Sequence, residues 1–193
     1  MSEVLNENEL TLIAQRLQAL AQTGLTYTRD VYDRERYEDL MGIAERLLTA
    51  RFDLPVETLQ NLHKVDTGYA TPKTDVRAII LHEGKLLMVQ EADDEGWSLP
   101  GGWADIGDSP TEAVEREVRE ETGLEVKVSR LLGVWDRNQH GHPPYPWHVY
   151  KLIFLCETQG GELAVSHESL DVAYVDPDNL PPLSLTRIVP EEI

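Results

Sequence analysis
A chain of 193 residues, 41% hydrophobic and 27% charged, can build one ordinary domain with a small companion and bury a normal core. Its net charge of -18 repels long polyanions and argues against an extended nucleic-acid-binding surface. The single cysteine, Cys156, excludes an intramolecular disulfide; no leader-like start and no membrane-length apolar run occurs, so a soluble, cytoplasmic protein without a membrane partner is expected.

In chain order, residues 6–24 begin with an Asn6-to-Glu9 capping pattern and close at Gly24. Leu10, Ile13, Ala14, Leu17, Leu20 and Ala21 recur at helical spacing and are expected to face inward. A second helix is expected from about 30 to 51, with Tyr37, Leu40, Met41, Ala44, Leu47 and Leu48 inward. Pro55 opens a third, with Val56, Leu59 and Leu62 on one side. Three helices in residues 1–70 are too thin a core to stand alone, so packing or dimerisation is their expected role. Their turn lengths and scattered basic residues do not suit a DNA-reading helix-turn-helix.

After a linker at 66–74 the pattern turns to strands. Residues 76–82 and 85–90 read as a hairpin around Glu83-Gly84, and 97–99 as a short strand. Further strands are expected at 126–136, 148–156, 162–165 and 172–175, with a polar, proline-rich segment at 137–146. Asp178 is a candidate cap for a late helix. Strands broken by one central helix predict an α+β domain over residues 71–193, a mixed sheet packed between helices.

That central helix has both ends marked: Ser109 as N-cap, Pro110 at the first helical position, Glu112 completing a capping box, and Gly123 as a left-handed stop. Val114 and Val118 form its apolar stripe, while Glu112, Glu115, Arg116 and Arg119 form a paired outer face. Glu117, Glu120 and Glu121 share a third sector. Three carboxylates on one edge repel one another unless they share a hard divalent cation, which takes oxygen ligands; a solvated acidic helix is the alternative.

Gly102, Arg116, Glu117, Val118, Glu120, Glu121, Gly123 and Leu124 stand at the spacing of the Nudix box, and the chain resembles that family. The run from Arg116 to Leu124 is expected by chance on the order of once in ten million positions. One position departs, Asp108 standing where the box has its first Glu, which matters if the shorter side chain cannot hold the loop. The resemblance implies an α/β/α sandwich with a mixed sheet over roughly residues 74–185. The helical N-terminal unit, Arg77, Trp135-Asp136-Arg137, His140, His142 and Pro181–Ser184 resemble a bacterial subgroup, which implies a homodimer acting on nucleoside diphosphates linked to another moiety.

The activity implied is a Mg²⁺- or Mn²⁺-dependent pyrophosphohydrolase, with ADP-ribose or CDP-choline as examples of substrate. Glu117 and Glu121 would be the primary metal ligands. Glu120 would serve a second ion or act through water, and Arg116 would fix a box carboxylate. Gly101-Gly102 would bring the backbone close, with a carbonyl of Trp103 or Ala104 near the ion, although any tight loop can use such glycines. Glu168 is the candidate general base, beside His167 and Asp171; an exposed loop carboxylate is the alternative. Arg137, His140 and His142 are candidate substrate contacts, and zinc at the two histidines lacks further ligands. Arg77 either reaches the diphosphate or pairs with a local acid. Two rival functions remain open: a nucleotide sensor that does not hydrolyse, and an enzyme that removes damaged nucleoside triphosphates.

Overall fold
Helix α1 (Glu7–Tyr27) starts where Asn6 and Glu9 exchange side-chain-to-backbone hydrogen bonds, at 2.7 and 2.9 Å. Helix α2 (Val31–Phe52) starts where the Asp30 carboxylate accepts from the amides of Tyr32 and Asp33. The computed structural model describes residues 6–52, 55, 57, 60 and 67–193, and Val56, Leu59 and Leu62 of the expected third helix lie outside them. Contacts divide the chain into two units, Met1–Pro72 with Pro144–His148, and Lys73–Pro143 with Val149–Ile193. No described helix is long and apolar enough to cross a membrane.

In the first unit α1 packs on α2, and the buried apolar side chains are small or few: Ala14, Ala21, Ala44 and Leu48. Thr11, Gln15, Gln22 and Glu45 are buried with them. Three of these polar groups reach backbone carbonyls, Thr11 Oγ1 to Glu7 at 3.0 Å, Gln15 Nε2 to Tyr145 at 2.7 Å and Gln22 Nε2 to Gly68 at 3.3 Å. The predicted inward set therefore splits. Leu10, Ile13 and Leu20 of α1, and Leu47 of α2, stay exposed. The alanines let the two helices approach closely, which turns the neighbouring leucine-rich sector of α1 outward.

The second unit is built on strands β1 (Lys73–His82), β2 (Lys85–Glu91), β3 (Trp97–Ser98), β4 (Leu124–Asp136), β5 (Val149–Gly161) and β6 (Ser169–Val175). Strand order is β3-β2-β1-β5-β4, with β6 pairing on β2. The β1–β5 pair is parallel and the others are antiparallel, so the sheet is mixed. Helix α3 (Pro110–Thr122) buries Ala113, Val114 and Val118 against Val76, Ala78, Ile80, Leu87 and Phe154. Alternation along β2 sends Leu86 and Met88 into a second cluster with Leu99 and Ile188.

The late helix expected after Asp178 is replaced by an extended tail. The Asp178 amide instead donates to Asp176 Oδ1, a local turn, and only a single 3₁₀ turn forms at Pro190–Glu192. Leu180, Leu183, Ile188 and Ile193 of this tail pack on the second cluster. Nor is there a strand at 162–165: β5 runs on to Gly161, opposite Leu124, and residues 162–165 are exposed.

Candidate active site
Both ends of α3 form as their residues dictate. The Ser109 hydroxyl accepts from the Glu112 amide while Glu112 accepts from the Ser109 amide. Gly123 takes φ 74°, and its amide donates to Arg119 O. The glycine loop is stitched to β1 by Ala78 N–H to Pro100 O (2.9 Å), Val76 N–H to Gly102 O (2.8 Å) and Ala104 N–H to Thr74 O (3.0 Å). Gly101 has φ 138°, and a Cβ there would collide with the Val76 carbonyl oxygen. Here a glycine is required both by conformation and by space.

The loop meets the acidic edge of α3 at two points. Gly101 N–H donates to Glu121 Oε2 at 2.8 Å. A Cβ on Gly102 would lie 2.9 Å from Glu117 Oε2, so residue 102 must be small for the Glu117 carboxylate to rest there. Arg116 organises the outer side. It donates to Asp108 (3.0 Å), Glu117 (2.6 Å) and Glu120 (3.3 Å), and pairs with Asp105 at 3.3 Å. The shorter Asp108 thus does reach the arginine.

Burial sets the electrostatics. It pushes the Glu121 carboxyl up to about 8, against the opposing pull of Arg77 and the Gly101 amide. Burial also raises Glu117, with Arg116 working against it, whereas the Glu120 side chain is 55% exposed. Among the described residues no three carboxylates, imidazoles or thiols are grouped closely enough to hold a metal ion; Gly101 N–H engages Glu121, while Arg116 Nη1 engages Glu117 and Glu120. The donor set still fits a hard divalent cation. A buried carboxyl of raised pKa needs a compensating cation to be charged at neutral pH, and Glu117, Glu120 and Glu121 supply oxygen donors alone.

The other predicted positions divide. Arg77 is buried and forked onto Asp75 at 2.9 and 2.8 Å, with a third bond to Leu99 O at 3.0 Å. Of the two readings of Arg77, the structure shows the local acid pair, although its charge acts on Glu121. Arg137 is buried and donates to the carbonyls of Pro143 and Thr186. His142 is buried between Leu185 O and Glu192 Oε1, both at 2.9 Å. These two side chains hold the tail rather than line an open loop. His140 lies edge-on to Trp135 with ring centroids 4.2 Å apart. Trp103 is 44% exposed and bridges to Asp75. Glu168 is exposed at the entry to β6, paired with His167 at 3.3 Å, and its carbonyl accepts from Ala92 N–H. Asp171 is exposed on β6. Residues 144–148 group with the helices, whereas 137–143 group with the sheet.

A NUDIX domain is matched over residues 71–191, and a UDP-X-like, N-terminal oligomerisation domain over residues 8–63. The chain belongs to the NUDIX family. Among its relatives is YjhB of Bacillus subtilis (strain 168), provisionally named an ADP-ribose pyrophosphatase. The two are 43% identical over 180 residues, which is 93% of this chain and 86% of that one. An ADP-ribose pyrophosphatase of Methanocaldococcus jannaschii is 36% identical over 60% of this chain and 69% of its own length. A solved UDP-X diphosphatase superimposes with TM-score 0.61 at 37% identity, covering 97% of this chain and 91% of that one. An ADP-ribose pyrophosphatase from Streptococcus suis gives TM-score 0.57 at 40% identity, over 63% and 86%.

Within this NUDIX site, sequence reasoning missed Asp75, Glu91 and Asp105. Asp75 and Arg77 share strand parity, a legible signal for a same-face pair. Glu91 shares parity with Leu87, so an acid continues a core-facing row towards the end of α3. Cys156 carries no nucleophile: it is buried and its thiol is pushed up to about 12.

Proposed function
We propose that this chain hydrolyses the phosphoanhydride of a nucleoside diphosphate linked to another moiety, releasing a nucleoside monophosphate and the phosphorylated partner. The observation that carries the reading is the edge of Glu117, Glu120 and Glu121 on α3, met by the Gly101-Gly102 loop and braced by Arg116. Those three carboxylates would hold a divalent cation, Mg²⁺ or Mn²⁺. When bound, such an ion neutralises charge on the phosphoryl oxygens and activates the attacking water. The chain's own groups set the geometry. Gly101 N–H orients Glu121, and Arg116 fixes Glu117 and ties it to Asp108. Glu168 would take the proton from the attacking water, its exposed position beside the Ala92 turn leaving it free to approach a substrate.

ADP-ribose and UDP- or CDP-linked conjugates are the substrates to try first. Purified protein is assayed with Mg²⁺ and with Mn²⁺ against these and against nucleoside triphosphates, with Glu121→Gln alongside. A monophosphate product from one conjugate, lost in the variant, is the expected result. Saturable nucleotide binding without turnover would overturn hydrolysis in favour of sensing, and preference for triphosphates would overturn the substrate class.

The helical unit would join two copies of the chain in the cytoplasm. Leu10, Ile13, Leu20 and Tyr27 of α1 and Tyr32, Ile43 and Leu47 of α2 are all at least 40% exposed, apolar surface that a second copy would cover.

A further inference from the structure
Arg187 lies in the C-terminal tail, far along the chain from the acidic helix, and the proposed hydrolysis does not use it. Its guanidinium gathers the turn that joins β2 to β3: Nε lies 3.2 Å from Glu91 Oε1 and Nη2 lies 3.0 Å from Asp93 Oδ2. Ser184, three residues earlier, donates to Asp94 Oδ2 at 2.8 Å and accepts from Arg187 Nη1 at 3.2 Å. The backbone adds to the clamp, with Trp97 N–H on Pro182 O and Ser184 N–H on Trp97 O, both 2.9 Å. The approach is close enough that a Cβ on Gly96 would sit 2.6 Å from Ser184 N. The tail thus runs beside β3 as an extra, short strand partner.

Glu91 connects this clamp to the loop. It is buried, and its Oε1 also accepts from the Ser98 hydroxyl at 2.5 Å. Three residues beyond Ser98, Gly101 N–H holds Glu121. Glu91 also ends the row of β2 side chains whose Leu87 packs with Val114 and Val118, so it lies on the face that α3 covers. A buried carboxylate at that place requires a cation; among the described residues Arg187 is in ion-pair contact with it, and Arg77 acts on it electrostatically without such a contact.

We propose that Arg187 is a positioning residue: through Glu91 and Ser98 it fixes the approach of the Gly101 loop to Glu121. Its effect on turnover rests on the hydrolysis reading given above. Its effect on the loop does not. Arg187→Ala is compared with wild type and with the double variant Arg187→Ala/Glu91→Gln. The second change removes the unpaired charge and keeps an oxygen for Ser98. Expected for Arg187→Ala is a kcat lowered about tenfold with KM held within about twofold, because the reacting groups are misplaced while binding surface is unchanged. Amide exchange in metal-free protein should quicken in residues 97–102 and not in β4 or β5. The double variant should recover most of both effects. Unchanged exchange in residues 97–102 would overturn the proposal. So would faster exchange spread evenly over the sheet, or a double variant no better than the single one. If wild type turns over no substrate, the hydrolysis reading fails, and the exchange measurement alone still decides the role of Arg187.

Discussion
At the scale of single residues, Glu121 concentrates the conflict in the site. Burial disfavours its charge, and Arg77 and the Gly101 amide only partly offset that. Its carboxyl stands at about 8 in the folded chain against 4.5 ordinarily, so between those values the folded protein holds the proton that the unfolded chain has lost. Metal-free protein should therefore lose stability as pH rises through that window. A divalent cation bound there, as proposed, would take the proton's place, so its stabilising effect should grow over the same range. Melting temperatures with and without Mg²⁺ should diverge more at about pH 8.5 than at about pH 6. Glu121→Gln should cancel the divergence and lower kcat by about a hundredfold or more. Asp108 shows how a departure from the family pattern is absorbed, since its oxygen still reaches Arg116 Nε at 3.0 Å. Asp108→Ala should leave the fold intact and reduce kcat about tenfold, by freeing the guanidinium that braces Glu117.

At the scale of elements, α3 was legible almost residue by residue. Its capping box, its apolar pair Val114 and Val118 and its glycine stop all follow from local chemistry. Ser109→Ala should cost about 1 kcal/mol of stability in chemical denaturation with little change in kcat. Gly101→Ala should behave differently. The alanine must be accommodated against the Val76 carbonyl at a backbone angle that L residues avoid, so activity should fall further than stability. Two short segments after β5 depart from what their local pattern predicts. The tail after Val175 shows helix-like capping at Asp178, yet it is extended, because Leu183 and Ile188 find a sheet face to cover. Residues 162–165 alternate like a strand but are exposed, with β5 already ended at Gly161.

At the scale of the whole molecule, a charge of -18 is borne by a surface that must repel itself, and two features work against that cost. One is the buried knot of the tail. Lys151 donates to Arg187 O and pairs with Glu192 at 3.2 Å, while His142 bonds the other oxygen of Glu192. Both ring nitrogens of His142 are engaged, one with Leu185 O and the other with Glu192 Oε1. Burial opposes charge on Glu192, yet His142 and Lys151 outweigh it and hold its pKa below the usual range. Glu192→Ala leaves the buried Lys151 ammonium without its carboxylate and His142 Nε2 without its partner, and should lower stability by about 3–5 kcal/mol, read from denaturant unfolding. The other is the exposed apolar face of the helices. Ile13→Glu with Leu20→Glu should convert a dimer to a monomer in sedimentation, without unfolding the sheet domain. A wild-type monomer would remove the proposed role of that face.

By itself the sequence determined the family, the acidic edge of α3 and the glycine loop, because each rests on spacing within a few residues, and the mixed sheet, from the order of strands and central helix along the chain. Helical period, strand parity, caps and the close approach of a glycine are local rules. Only the tertiary structure decided which partners the isolated charges find. Arg77 turned to Asp75, Arg137 to carbonyls of the tail, His142 to Glu192 and Arg187 to Glu91. A cation in a sequence is equally a substrate contact or half of a buried pair. Which it becomes depends on residues up to 96 positions away, brought there by burial of apolar neighbours. The same holds for Leu10, Ile13 and Leu20: helical period groups them, but only packing shows that the alanines beside them take the inside.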